Sequence, residues 1–264
     1  MQKNLLKFGL VALAVFVSGC GLLPAKIDET KNWSSSKLYA EATDELRSGN
    51  YDTAIKYFEK LEARYPFGTY AQQAQMEIAY AHYRQGDQAQ TVAAAERFIK
   101  LHPNHPNVDY LYYLRGLANF NDKLGLFDFI SKQDPTERDP QAAREAFESF
   151  KQLVERFPDS VYAADSRLRM KYLVNAIAQH EVHVASYYYR RGAYVAAVDR
   201  AQYAIKEYPN APATEEALYV MKRSYDAMGM TDLRDDADRV MQKNFPNSEA
   251  YSGPKTAKPW WQAW

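Results

Sequence analysis

The sequence predicts an all-α solenoid built from five repeated helix pairs. The first observation behind this prediction is a segment that returns along the chain, GNYDTAIKYFEKLEARYP, in which Gly49 precedes Pro66 by 17 residues. Three later glycine and proline pairs keep that interval, and the middle copy keeps it with Gln141 in place of the glycine. The second observation is that no stretch shows the period-two alternation of a half-buried strand. We therefore expect helices and no sheet.

Within each copy, apolar residues recur at the spacing of one helical face. In the first copy, spacings of 4, 3 and 4 join Ala54, Phe58, Leu61 and Tyr65. Small residues alternate with large ones, as interdigitating helices require. The fifth copy places Arg234 and Asp238 at two of these positions, which is typical of a terminal repeat with one solvated face.

A proline closes each unit, and the polar residues after it can cap the next helix. The closing prolines are Pro66, Pro103, Pro158, Pro209 and Pro246. Units of this length with a turn glycine, a small residue, an aromatic residue and a final proline resemble tetratricopeptide repeats over residues 36 to 248. This resemblance implies five helix pairs wound into a right-handed superhelix.

Two units are longer than the others. The third contains an insertion, residues 121 to 138, whose apolar residues lie between Leu124 and Ile130. This apolar cluster either folds back on its own repeat or docks a partner. The fourth unit has a long first helix, predicted from Val161 to Arg191, which ends in three tyrosines and two arginines. These residues either pack inside the solenoid or form an interface.

The N-terminus resembles the export signal of a bacterial lipoprotein. Two lysines and a short apolar run precede Cys20, the single cysteine of the chain. The run Val17-Ser18-Gly19-Cys20 resembles a lipobox. It implies a signal peptide over residues 1–19 and a lipid on Cys20, with an N-acyl chain and an S-diacylglycerol group. An ordinary signal peptide with a chance cysteine is the alternative.

The residues after Cys20 suggest how the mature chain is held. Gly21 and Leu22 lack the aspartate that often retains bacterial lipoproteins at the inner membrane, so outer-membrane sorting is implied. Residues 20–35 have no apolar period and are predicted to form a flexible tether.

Composition and motifs argue against several classes of function. The 33 basic and 33 acidic residues balance, which does not favour a nucleic-acid binder. His180 and His183 lack the spacing of a His-Glu-x-x-His zinc motif, and no glycine-rich phosphate loop or nucleophile elbow occurs. We therefore predict no catalytic residue, no metal site, and no cofactor beyond the lipid of Cys20.

A tyrosine-rich surface is the main candidate site. Tyrosine occurs 21 times and phenylalanine 12 times, and tyrosine suits a half-solvated groove. The first helices of such repeats line the concave side. On them lie Tyr80, Tyr83, Arg84, Tyr110, Tyr112, Tyr113 and Arg115. For any single tyrosine, packing between repeats is an equally open interpretation.

Four segments together resemble one protein family. RYPFGTYAQQAQ, HPNVDYLYYLRG, RDPQAAREAF and YYYRRGAYVAAVDR are similar to the BamD (ComL) family of Gram-negative bacteria. The resemblance implies a non-catalytic lipoprotein of the outer-membrane β-barrel assembly machinery, anchored at the periplasmic face of the outer membrane. Its expected partners are the periplasmic domains of BamA, other Bam lipoproteins and unfolded barrel precursors.

The resemblance also divides the chain. The N-terminal repeats, residues 36–120, would offer the groove to precursors, with an arginine for their terminal carboxylate. The C-terminal repeats, residues 139–248, would bind BamA, and Arg191 and Arg200 in YYYRRGAYVAAVDR are the predicted contacts. The alternative function is a repeat lipoprotein that serves pilus or cell-wall assembly.

The tail, residues 249–264, contains Trp260, Trp261 and Trp264 and lies outside the family pattern. It either binds a membrane surface or a partner, or stays disordered.

Overall fold

The structure, a computed structural model, describes residues 28–120 and 140–248. All regular structure in these two ranges is helical. The helices are α1 (Ser35–Arg47), α2 (Tyr51–Arg64), α3 (Thr69–Gln85), α4 (Gln88–Leu101), α5 (Val108–Asn119), α6 (Gln141–Arg156), α7 (Ala163–Arg190), α8 (Tyr194–Glu207), α9 (Thr214–Ala227) and α10 (Thr231–Asn244).

These helices form five consecutive pairs, from α1 with α2 to α9 with α10. Each helix packs on the one before it and the one after it in the chain. The first helices of the pairs also meet, since α1 contacts α3, α3 contacts α5, and α7 contacts α9. The predicted all-α solenoid of five helix pairs is therefore confirmed, and the first helices of the N-terminal repeats share one side.

The predicted stripes form the core. In the first pair, Ala54, Phe58 and Leu61 are fully buried, and the third pair buries Ala146, Phe150 and Leu153 in the same way. In the fifth pair only Met241 of the stripe is fully buried. Its charged stripe residues are paired: Asp238 accepts a hydrogen bond from Lys222 Nζ, and Arg234 pairs with Asp226. The last pair thus keeps the solvated face predicted for it.

The turn glycines have a backbone reason to be glycine. Gly49 has φ 81°, and the corresponding Gly86, Gly192 and Gly229 have φ between 71° and 76°. Side chains disfavour this left-handed region, so glycine lets each pair turn within a few residues. The middle copy begins differently, because α6 starts at Gln141 and the residue before it, Pro140, has φ −78°.

The segment before α1 lies against α2. Asp28 Oδ1 accepts a hydrogen bond from Lys60 Nζ at 2.6 Å, and the Asp28 carboxylate also pairs with Arg64. Thr30 is buried, and the ring of Trp33 meets that of Tyr57 edge to face at 5.6 Å. The flexible tether predicted for residues 20–35 is therefore wrong for its last part, because residues 28–34 are docked on the first repeat and Ser35 begins α1.

A close contact joins the two described ranges across the third pair. Gly116 of α5 lies against the ring of Phe150 of α6, so that a Cβ at Gly116 would stand 2.5 Å from Phe150 Cε1. The same ring meets Tyr113 and Phe120 at centroid distances of 6.0 and 6.1 Å. Residues on both sides of the insertion therefore share one hydrophobic cluster.

Candidate functional site

An open groove lies on the side formed by the first helices. Its volume is about 690 Å³, and it is bordered by α3, the start of α5 and the turn between α6 and α7. We call it the tyrosine groove and define it by Met76, Glu77, Tyr80, Asp109, Tyr110 and Tyr162. The remaining lining residues are Pro106, Asn107, Asp159, Ser160 and Val161.

Stacked rings build one wall of the tyrosine groove. Tyr162 stacks on Tyr113 with centroids 4.7 Å apart and an interplanar angle of 18°, and Tyr110 lies 5.8 Å from Tyr162. The Tyr113 hydroxyl donates to Asp165 Oδ2 at 2.7 Å, and Asp165 in turn pairs with Arg169. These contacts fix the wall before any ligand arrives, which lowers the entropy cost of binding.

The hydroxyls of these tyrosines stay protonated. Burial raises the pKa of Tyr110 far above its usual value, and the nearby charge of Glu77 raises it further. Burial also raises the pKa of Tyr162, and Asp109 adds to this effect. The wall therefore offers neutral hydroxyl groups and apolar ring faces.

Glu77 is the half-buried carboxylate of the tyrosine groove. Burial raises its pKa, and the one cation that opposes this is Arg47. The Arg47 side chain is 77% exposed and lies 3.7 Å from Asp44. No hydrogen bond or ion pair reaches the Glu77 carboxylate from another residue of the described ranges. The groove thus holds a negative charge that the repeats themselves do not neutralise.

The structure brings together most of the predicted groove residues. Tyr80, Tyr83, Tyr110 and Tyr113 are partly buried around one hydrophobic cluster. Arg84 borders them: its Nη1 donates to the Tyr80 hydroxyl at 2.8 Å, and its guanidinium lies 5.6 Å from the ring centroid of Tyr51. The hydrogen bond to Tyr80 raises the pKa of Arg84, so this arginine is a permanent cation beside the tyrosines.

Arg115 lies elsewhere. Its Nε donates to Ser149 Oγ at 3.1 Å, its Nη2 donates to Gln152 Oε1 at 2.8 Å, and its Nη1 is 3.5 Å from Glu96. These partners belong to α4 and α6, the second helices of their pairs, and the side chain is 13% exposed. Tyr112 points the same way and is buried beneath the Arg115 guanidinium. Arg115 is therefore not brought together with the tyrosine groove.

The two predicted partner-binding arginines have different surroundings. Arg200 of α8 donates from Nη1 to Glu181 Oε2 at 3.0 Å, and Arg144 of α6 donates from Nη2 to Glu181 Oε1 at 2.8 Å. We call these three residues the arginine clamp. Arg191, at the end of α7, is exposed and lies over the ring of Tyr187 at 5.6 Å. Within the described ranges, Arg191 and Arg200 share no hydrogen-bonding or ion-pair partner.

Comparison with known proteins identifies the family of this chain. A family model described as YfiO, outer membrane lipoprotein, matches residues 31–240. The chain belongs to the YfiO family. The match covers all ten helices except the end of α10.

Curated relatives of this YfiO-family chain share a name. A protein of Neisseria meningitidis serogroup A is 44% identical and is covered in full, as is this chain. A Vibrio cholerae protein is 37% identical over 89% of this chain and 96% of its own length, and a Haemophilus influenzae protein is 31% identical over 92% of both. Each is an "Outer membrane protein assembly factor BamD". The BamD resemblance is confirmed, and membership of a family of assembly factors agrees with a non-enzymatic protein.

Four residues that define the groove, Met76, Glu77, Asp109 and Tyr162, were not predicted from the sequence, although a sequence signal existed for two of them. Tyr162 follows Pro158 by four residues, as Tyr110 follows Pro106, so a recurring Pro-x-x-x-Tyr pattern could have found it. Glu77 lies three residues before Tyr80 and thus on the same helical face, which was the available signal for it.

The remaining predictions concern residues outside the described ranges, a metal site and the membrane. Cys20, the insertion of residues 121–138 and the three tryptophans of the tail lie outside them. Within residues 28–120 and 140–248, no group of histidine, cysteine and acidic residues is arranged to hold a metal ion. None of the helices that the structure describes is both long and apolar enough to cross a membrane.

Proposed function

We propose that this chain is a lipid-anchored scaffold on the periplasmic face of the outer membrane, within the β-barrel assembly machinery. In this proposal the tyrosine groove binds extended segments of unfolded barrel precursors, and the C-terminal repeats bind the periplasmic domains of BamA. The observation that carries the proposal is the preformed tyrosine groove on the shared side of the first three pairs.

The groove suits an extended segment with alternating aromatic residues. An extended barrel strand carries apolar side chains at every second position, with aromatic ones near its ends, and the tyrosine walls offer ring faces and protonated hydroxyls to them. The groove is open rather than closed, which allows a chain to pass through it. No reaction is needed, because burial of apolar side chains supplies the binding free energy.

The C-terminal repeats suit a constitutive partner. Arg191 is exposed, and Arg200 is half-exposed although one of its nitrogens is held by Glu181. Arginine is enriched among residues that dominate protein interfaces. Arg191 gives the cleaner test, since it makes no ion pair with any described residue and its replacement should leave the fold intact.

Binding of a precursor segment tests the groove directly. A fluorescently labelled peptide from the C-terminal strand of a barrel protein is titrated with wild-type chain and with Tyr110→Ala and Tyr162→Ala. We expect each variant to weaken binding about tenfold, as loss of an aromatic interface anchor does. Tyr203→Ala on α8, which removes a 40% exposed tyrosine far along the chain, is the matched control and should bind normally. Equal affinities for all four proteins would contradict the groove assignment.

Recovery of partners tests the complex and the anchor. Tagged chain, solubilised in detergent, should bring down a β-barrel protein with periplasmic domains, and Arg191→Ala should lower its yield without lowering the melting temperature. Recovery of pilus or cell-wall proteins instead would favour the alternative scaffold.

In cells, Cys20→Ala should release the folded chain from the membrane fraction.

A further inference from the structure

The tyrosine groove is lined by acidic side chains but by no basic ones. Glu77, Asp109 and Asp159 line it, and neither lysine nor arginine does. Asp109 already has partners, since its Oδ2 accepts a hydrogen bond from Ser160 Oγ at 2.6 Å and its Oδ1 accepts one from the Tyr110 amide at 2.9 Å. Asp159 is exposed at the rim. Glu77 is therefore the acid in the groove that is withdrawn from water without a partner among the described residues.

Glu77 lies between helices of three repeats. It stands on α3, and its negative charge contributes to the raised pKa of Tyr39 on α1 and of Tyr110 on α5. Arg47, the cation that acts on it, is mostly solvated and shared with Asp44. A half-buried carboxylate without a close cation is unfavourable for the folded state. Such a residue is a recurrent sign of a site that an outside group completes.

The walls of the groove suit a cation as well. Elsewhere in the chain, guanidinium groups cover tyrosine rings: Arg115 lies over Tyr112 at 5.2 Å, and Arg223 lies over Tyr189 at 4.5 Å. Among the described residues, no cation lies over Tyr110 or Tyr162. Ring faces that border an unneutralised carboxylate favour a positive charge between them.

We propose that the tyrosine groove selects a lysine or arginine side chain within an extended, aromatic-rich peptide segment, and that Glu77 sets this specificity. The inference rests on the proposed function, because it names the chemistry of the segment bound there. It changes the expectation for this site: the groove would read a basic side chain of the ligand, and the terminal carboxylate would be left to Arg84 at its border.

Peptides that differ in one residue provide the test. The probes are acetylated and amidated heptapeptides in which tyrosine and serine alternate around a central lysine, arginine, norleucine or glutamate. They are fluorescently labelled, and their anisotropy is followed as the full chain is added. We expect the lysine and arginine peptides to bind about tenfold more tightly than the norleucine peptide, and the glutamate peptide to bind most weakly.

Two charge variants locate the source of the preference. In Glu77→Gln the four peptides should bind within about twofold of one another, because the isosteric amide keeps the shape of the groove and removes its charge. In Asp159→Asn, which neutralises the exposed rim acid, the preference should persist. Thermal melting should show Glu77→Gln at least as stable as wild type, which separates loss of specificity from loss of fold.

The possible failures are distinguishable. If wild type binds the norleucine peptide as tightly as the lysine peptide, or if Glu77→Gln keeps the preference, the charge inference is overturned. The proposed function still stands in that case, provided that Tyr110→Ala weakens binding about tenfold. If no peptide binds wild type, or if Tyr110→Ala binds as wild type does, the groove assignment fails and the inference fails with it.

Discussion

Two carboxylates on first helices, Glu77 of α3 and Glu181 of α7, have opposite surroundings. Glu181 is 1% exposed and is held by two arginines, Arg144 and Arg200, which reach it from α6 and α8. Glu77 is half-buried among tyrosines and has no close cation in the described ranges.

The same side chain thus has two different roles: Glu181 is paired within the chain, and Glu77 has no partner within the described ranges. The arginine clamp ties three consecutive helices together, and its carboxylate is fully occupied within the chain. Glu77 keeps its acceptor capacity for a group from outside, at some cost to the stability of the folded state. On the proposed function, Glu181 serves the packing of the C-terminal repeats, whereas Glu77 serves the binding of a segment.

The largest expected effect comes from breaking the arginine clamp. Arg144→Ala combined with Arg200→Ala leaves Glu181 buried without a cation and should lower the free energy of unfolding by about 3–5 kcal/mol, as measured by urea titration. Each single variant leaves one cation in place and should cost clearly less than half of this. Arg239→Ala, which breaks an exposed pair with Asp236, is the surface control and should change stability by less than about 1 kcal/mol.

A third substitution checks that the buried charge causes the loss. Adding Glu181→Gln to the double arginine variant removes the charge that was left uncompensated, so part of the stability should return. If Glu181→Gln lowers stability further, the clamp acts through packing of its side chains instead, and the contrast with Glu77 loses its basis.

A smaller effect is expected at the junction of the two halves. Gly116→Ala should cost about 1–3 kcal/mol, because its Cβ would overlap the fully buried ring of Phe150. This outweighs the gain that alanine normally gives inside a helix. Phe150→Leu opens space for the methyl group. The double variant should therefore lose less free energy of unfolding than the two single variants added together. A stabilising Gly116→Ala would show that the halves are not packed tightly here.

The smallest expected effect is a gain in stability at Glu77. A raised pKa in the folded state means that this group supports folding below its ordinary pKa and loses that support as pH rises through the folded value. Glu77→Gln should therefore melt higher than wild type at neutral pH, and the difference should vanish near about pH 4. Tyr39 and Tyr110 stay neutral over this range, because burial raises the pKa of both hydroxyls. A lower melting temperature for Glu77→Gln at neutral pH would mean that Glu77 has a stabilising partner.

The repeat spacing was sufficient to predict the architecture. The interval from turn glycine to closing proline located five helix pairs, and the stripe containing Phe58 and Phe150 marked the core correctly. Local periodicity decides such features, so they can be predicted from the sequence alone.

The direction of individual groove residues was harder to predict. Helix α5 is apolar nearly all round, with Val108, Leu111 and Leu114 buried, so its sequence does not show which face meets which neighbour. Tyr110 and Tyr113 fall on the groove side, whereas Tyr112 and Arg115 face the second helices. The partners of Glu181 lie 37 and 19 residues away, and only the packing of three helices brings them together.

The most direct test of this contrast is the titration of Glu77 itself. Carboxyl carbon NMR of the labelled chain, followed over pH with and without the lysine heptapeptide, reports the pKa of Glu77 in both states, and Glu77→Gln assigns the signal. We predict a pKa above the ordinary glutamate value in the free chain and a fall when the peptide binds, since an ammonium group favours the ionised form. An ordinary pKa in the free chain, or a raised pKa that the bound peptide leaves unchanged, would contradict the account.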